Sequence, residues 1–144
     1  INLFIITSNI NKKGFLNNKQ LEELINLNVI TISSHTHQHK IATSQSYINF
    51  KNDITISKNY LQNLTNIKIN SLCYPLGYYS HKTNNIAKEV GFQKLYTCVP
   101  GFYSRNNTKN RSLVQFCQRS EFKAILNGGD HILSFWYKFK YFKR

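Results

Sequence analysis

Three of the chain's five histidines fall within five residues, in the run Ser33-Ser34-His35-Thr36-His37-Gln38-His39. The run follows Val29-Ile30-Thr31-Ile32, an apolar, β-branched stretch that predicts a buried strand. Where such a strand ends the backbone turns outward. A short loop can therefore bring His35 and His39 onto one metal ion while Thr36 hydrogen-bonds the local backbone. Two imidazoles make half a metal site, and a third donor, usually a carboxylate, has to come from elsewhere. A polar loop in an Asn-rich chain also collects histidines with no ligand role, so the weight of the motif comes from its context.

The elements that must hold these residues alternate in kind. Leu3-Phe4-Ile5-Ile6-Thr7 predicts a buried strand that starts almost at residue 1. After a turn at Lys13-Gly14-Phe15, Asn17 can cap a helix with Gln20 as its reciprocal partner, and Leu21, Leu24, Ile25 and Asn28 follow at helical spacing. Val29 to Ile32 is the second strand, reached by a parallel crossover whose default hand is right. Beyond the histidines, Asp53 precedes Ile54, Ser57, Leu61 and Leu64, one face of a second helix. Ile69 to Tyr74 predicts a strand stopped by the turn Pro75-Leu76-Gly77. Ser80 can cap a helix carrying Ile86, Ala87 and Val90, with Gly91 where a C′ residue belongs. Phe92 to Cys98 predicts a further strand ended by Pro100-Gly101. Residues 102–111 read as a polar loop, Leu113 to Cys117 as a last strand, and Glu121 to Asn127 as a short helix stopped by Gly128-Gly129.

This alternation, without a composition break, predicts a single α/β domain over residues 1–144 with a mainly parallel sheet. In such folds chemistry gathers at the carboxyl ends of the strands, where His35, His39, Tyr74 and Pro75 all fall.

Composition narrows the partners. Nineteen basic against six acidic residues give a formal charge of +13, which favours nucleic acid, a phosphorylated glycan or an acidic membrane surface. The charge is spread rather than blocked, so solvated faces account for most of it. Cys73, Cys98 and Cys117 are odd in number and widely spaced, which excludes a fully paired disulfide framework and any Cys-x-x-Cys zinc site. No apolar stretch approaches membrane-spanning length. Ile1-Asn2-Leu3 offers neither a basic leader nor an initiating Met, so the chain reads as cut at its start. Residues 130–144 form an aromatic and basic tail. Its interleaved rings and cations suit a membrane surface or nucleic acid, but the plainer reading, a closing helix that packs its rings on the wall of the domain, ranks first.

Four stretches in order then narrow the class: Gly14-Phe15-Leu16 with Leu21 and Leu24 behind it, Ser34 to His39, Tyr74-Pro75-Leu76-Gly77-Tyr78-Tyr79, and Gly91-Phe92 followed by Tyr96-Thr97 and Pro100-Gly101. Together they resemble the polysaccharide deacetylase family (NodB homology domain, carbohydrate esterase 4), from about residue 2 to residue 127. The resemblance implies a distorted (β/α) barrel and a metal-dependent hydrolase. Such an enzyme removes acetyl groups, from nitrogen or oxygen, from a polysaccharide or sugar lipid. It further implies a divalent metal, commonly zinc, held by His35 and His39. The backbone N–H of Leu76 would serve as the catalytic oxyanion donor, and Tyr74, Pro75 and Gly77 as the substrate-binding groove. The chemistry calls for each part. An amide carbonyl is a poor electrophile, so it needs polarising, an activated water, an acid for the leaving amine and donors for the oxyanion.

The sequence departs from the family pattern in several places. The Thr-Phe-Asp-Asp-Gly-like stretch that supplies the general base and third metal ligand has no counterpart, and the chain begins just after the place it should occupy. Asp53, Glu22, Glu23, Glu89 and Glu121 read as helix-face or capping groups, and Asp130 as part of a late Gly-rich turn. The family's late Leu-His motif is replaced by Asp130-His131-Ile132, and His81 reads as a first-turn surface residue. Cys73 stands where some members place an Arg beside the base, and Lys40 where a Pro often follows the second histidine. The expected result is a barrel without its first strand, weakened metal binding, turnover in question, and an unpaired edge open to self-association.

A non-catalytic carbohydrate- or envelope-binding module of the same fold is the second reading. A basic nucleic-acid-binding protein is a distant third, supported by no recognised motif. By family resemblance the expected setting is the cell envelope or the exterior, with peripheral contact to an anionic membrane or envelope.

Overall fold

The computed structural model describes residues 1–101, 108–112, 114 and 118–142. Five strands, β1 (Asn2–Ile5), β2 (Thr31–Ser34), β3 (Ser71–Cys73), β4 (Lys94–Tyr96) and β5 (Thr108–Lys109), form one sheet in the order β1-β2-β3-β4-β5. Every neighbouring pair is parallel. Helices α1 (Asn18–Ile25), α2 (Tyr47–Thr65) and α3 (His81–Glu89) join the first four strands, and α4 (Arg119–Leu126) and α5 (Ser134–Tyr141) follow the sheet. Strands laid side by side in chain order, with a helix between each successive pair of the first four, describe part of a (β/α) barrel, because a doubly wound sheet would reverse its order.

The local signals explain why the helices start where they do. Asn17 accepts from the Gln20 amide at 2.8 Å while Gln20 Oε1 accepts from the Asn17 amide at 2.9 Å, a reciprocal capping box. Ser80 and Thr83 do the same for α3, and Gly91 (φ +90) closes that helix. The helices bury Leu21, Phe50, Ile54, Leu61 and Ile86 against Ile5, Ile32, Leu72 and Leu95 of the sheet. That removal of apolar surface from water is the main force holding the sheet in place.

Three expectations need correcting. The second strand begins at Thr31, two residues late, because Leu24 to Ile30 form the turns that leave α1, and Val29 is exposed. Helix α2 begins at Tyr47, capped by Ser46, so Asp53 lies mid-helix on its buried face. Thr108 and Lys109, expected in a polar loop, pair with Leu95 and Tyr96. Backbone bonding to a neighbour defines this short strand, so its side chains carry no apolar pattern. The strand expected at Leu113 to Cys117 lies outside the described residues except for Val114.

The tail forms α5, which packs on one side only. Tyr141 is buried, the rings of Tyr137 and Tyr141 stack at 5.8 Å, and Tyr141 also meets Tyr78 at 5.3 Å. Tyr79 donates its amide to the Tyr141 carbonyl at 2.9 Å, which fastens the helix to the segment after the Pro75 turn.

Candidate metal and substrate site

The histidine loop leaves the end of β2 already constrained. His35 donates its amide to the Ile5 carbonyl at 2.8 Å, continuing the pairing with β1. The next residues cannot stay extended: Thr36 (φ +67) and His39 (φ +57) both occupy the left-handed region, which costs a residue with a Cβ about 1 kcal/mol or more. Neighbours on three sides hold them there. Thr36 Oγ1 accepts from the His39 amide at 3.0 Å, as its residue type suggested. Thr7 and Ser8 donate to the Thr36 and His37 carbonyls at 3.2 and 3.1 Å. From below, the buried Asp53 carboxylate accepts the amides of His37 (3.3 Å) and Gln38 (2.9 Å).

This scaffold directs two imidazoles at one point. His35 Nε2 and His39 Nε2 lie 3.2 Å apart, with the rings edge to face at 4.8 Å. The other nitrogen of His35 sits 2.8 Å from the Cys73 carbonyl oxygen. A carbonyl only accepts, so Nδ1 must carry the proton, and in the neutral ring Nε2 is left with a bare lone pair. Burial, with smaller contributions from His39 and Arg111, lowers the His35 pKa to about 4 against the lone opposing effect of the Cys73 bond. The ring is therefore neutral at physiological pH, the form that binds metal. His37 faces elsewhere, its Nδ1 2.9 Å from Thr7 Oγ1.

Two nitrogens on one tetrahedral zinc, each about 2.0–2.1 Å from it, stand about 3.3–3.4 Å apart. The His35–His39 separation fits such an ion. Among the described residues no group of three or more His, Cys, Asp or Glu gathers there, so the described chain offers two donors and no third.

The carboxylates, all of which are described, are engaged in other ways. Asp53 holds the loop, and Glu89 binds Lys51 at 3.1 Å and accepts from the Tyr47 hydroxyl. Glu22 and Glu23 lie on the exposed side of α1. Glu121 caps α4, and Asp130 lies 3.9 Å from His131.

The Pro75 turn stands beside the pair, since β3 carries both the Cys73 carbonyl and the turn itself. Leu76 adopts φ +53, ψ +8 and is 57% exposed. A left-handed leucine on a surface turn is strained, and such strain concentrates at functional sites. Gly77 has no room for a side chain: a Cβ there would lie 2.6 Å from the Cys98 Cβ and 2.8 Å from its backbone nitrogen.

The expected groove residues are placed differently from the sequence reading. Tyr74 is fully buried, stacked between Phe50 and Tyr79, and donates its hydroxyl to Asn84 Oδ1 at 2.7 Å. Burial pushes its pKa well above the ordinary tyrosine value. Pro75 and Gly77 are buried as well. These three shape the turn from beneath, and Leu76 is its exposed member.

Arg111 is a group that the sequence reading missed. From the segment after β5 its Nε donates to the Thr97 carbonyl at 2.9 Å, and its Nη2 lies 3.1 Å from Cys73 Sγ and 3.6 Å from Cys98 Sγ. Its guanidinium covers the Phe4 ring at 5.4 Å. Burial pushes the Cys73 thiol up to about 12, so it meets the guanidinium as a neutral group. A cation thus stands against Cys73, the position at which the sequence reading noted a missing Arg, though it arrives from the segment after β5.

Parallel strands wound in chain order, with an imidazole pair past β2 and a strained turn past β3, define a barrel-type domain with a candidate site at the carboxyl ends of its strands. Comparison with known proteins gives that class a family. The polysaccharide deacetylase family profile matches residues 1–95. YxkH of Bacillus subtilis (strain 168), whose name assigns it to the polysaccharide deacetylases, is 28% identical over 104 residues, 72% of this chain. The chain spans 37% of the length of that relative.

Solved structures share the fold. The Streptococcus pyogenes deacetylase PplD, in complex with acetate, superposes with a TM-score of 0.76 at 21% identity, over 86% of this chain and 57% of that one. BC0361, a polysaccharide deacetylase from Bacillus cereus, gives 0.78 at 19%, over 87% and 41%. The chain belongs to the polysaccharide deacetylase family.

Proposed function

We propose that this chain carries the metal and substrate region of a carbohydrate deacetylase that hydrolyses acetyl groups from an acetylated polysaccharide or sugar lipid. The observation that carries the reading is the facing of His35 Nε2 and His39 Nε2 at 3.2 Å, with the tautomer of His35 fixed by the Cys73 carbonyl. A divalent ion, zinc being the best match to two imidazoles, would be held by these two side chains and would supply Lewis acidity toward the acetyl carbonyl and water. The chain's own residues do the rest. Asp53 and Thr36 keep the two rings converged, and the neutral His35 keeps its lone pair directed at the site. The backbone N–H of Leu76, in its exposed left-handed turn, would serve as the oxyanion donor. The acetate held by the Streptococcus pyogenes relative agrees with acetyl transfer to water as the chemistry.

The test is acetate release from N-acetylated chitooligosaccharides by the zinc-supplemented protein and its His35→Ala and His39→Ala variants. Release by the parent chain that is lost in both variants supports the proposal; equal release by all three overturns it.

One observation favours the non-catalytic reading: none of the described carboxylates joins the histidine pair. That reading expects no acetate from the parent chain, together with oligosaccharide binding that survives His35→Ala.

A further inference from the structure

The closing helix has two unlike faces. Successive residues of an α-helix turn by about 100°, so Tyr137 and Tyr141 share one side, while Phe135, Trp136 and Phe139 share the opposite one. The tyrosine side is packed on Tyr78 and Tyr79. The other side is open: Phe135 is 83% exposed, Trp136 58% and Phe139 84%. Lys138 and Lys140 flank this stripe, one on each edge, and both are exposed. Lys140 Nζ lies 5.6 Å from the Trp136 ring centroid and 5.2 Å from that of Tyr141, and the Trp136 ring meets Tyr137 edge to face at 5.2 Å while more than half of Trp136 stays exposed. The preceding helix repeats the pattern. Helix α4 has no buried residue, exposes Phe122 and Leu126 one turn apart, and carries Arg119 and Lys123.

Exposed rings with cations along their margins, on a chain of formal charge +13, match a surface that is apolar just beneath a layer of negative charge. We propose that the outer face of α5 seats the domain on an anionic lipid bilayer, with Phe135, Trp136 and Phe139 entering the headgroup boundary and Lys138 and Lys140 meeting lipid phosphates. A protein partner would satisfy the rings, but the paired lysines at the stripe's two edges fit a laterally uniform negative surface better. Helix α5 is too short to cross a membrane, and among the described residues no helix is long and apolar enough to do so. The contact is therefore peripheral, and it stands independently of whether acetyl groups are released.

The chain contains a single tryptophan, so its emission reports on this face alone. Titration with vesicles of phosphatidylcholine and phosphatidylglycerol (3:1) at low salt is expected to shift the Trp136 emission to the blue. Binding to pure phosphatidylcholine vesicles should be at least tenfold weaker, as should binding to the anionic vesicles in 0.5 M NaCl. Phe135→Ser with Phe139→Ser, two exposed positions whose change leaves the core intact, should weaken binding at least tenfold while the circular dichroism spectrum stays that of the parent.

No shift at millimolar anionic lipid would overturn the proposal. So would a blue shift that grows with protein concentration in the absence of lipid, which would mean a second copy covers the face. Equal response to an oligonucleotide and to anionic vesicles would also overturn it, since the face would then recognise charge alone.

Discussion

Asp53→Asn is expected to loosen the histidine loop out of proportion to the one atom changed. The carboxylate accepts two backbone amides, from His37 at 3.3 Å and Gln38 at 2.9 Å, with little water to compete. Hydrogen bonds to a charged group are worth about 1.5–3 kcal/mol each, against about 1 kcal/mol for a neutral pair. The side-chain amide that this substitution introduces can accept only through its oxygen, so its NH2 confronts the second backbone N–H. One bond falls to the neutral value and one donor is left buried without a partner, a combined loss of about 2–4 kcal/mol. For a domain of this size the loss lowers Tm by roughly 10 °C.

The left-handed Thr36 and His39 gain freedom to relax once that support goes, so zinc affinity should fall at least tenfold together with stability. Urea unfolding measures the first effect, zinc titration calorimetry the second, and native-state hydrogen exchange at the Gln38 amide locates the change. A surface or capping carboxylate would cost about 1 kcal/mol or less. A variant with parental stability and parental zinc affinity would refute the assigned role.

Further outcomes follow from the same structure. His35, at about 4 when folded and near 6.5 when unfolded, resists a proton that the unfolded chain accepts. The metal-free protein should therefore lose up to about 3 kcal/mol as pH falls from 6.5 to 4. His35→Asn, which keeps a donor for the Cys73 carbonyl, should remove that slope in urea midpoints measured across the window. Gly77→Ala should destabilise by about 2–4 kcal/mol, because φ is +79 and the new methyl meets Cys98 at 2.6 Å. Cys98→Ala should fail to rescue it in thermal unfolding, since the Cβ and backbone nitrogen that clash both remain.

The legible parts of the fold were those written in local chemistry. The Asn17–Gln20 box, the Ser80 cap, Gly91 and the alternation of strands with helices all act within a few residues of themselves, and they set the α/β class. His35 and His39 were legible because their spacing at a strand end carries the geometry with it. Asp53 was not, because a carboxylate in a helix pattern looks the same whether it meets water or the underside of a loop far earlier in the chain. Tyr74 was misjudged for the converse reason: position after a strand shows nearness to the site, but not which side of the sheet the ring takes. Arg111 sits in a polar stretch with no local mark, and only the pairing of β5 with β4 carries it to Cys73. Thr108 and Lys109 became a strand through their neighbour's backbone, which leaves no trace in their own side chains.

Two imidazoles must share one ion for this domain to work as a metal-dependent deacetylase. Zinc titration of the metal-free protein at pH 7.5, followed by calorimetry, tests this most directly when the parent is compared with His35→Ala, His39→Ala and the double variant. One ion per chain is expected, with each single change weakening binding at least tenfold and the double variant doing no more harm than the worse single, since either loss opens the same site. Parental stoichiometry and affinity in the double variant would place the metal elsewhere and contradict a shared histidine site.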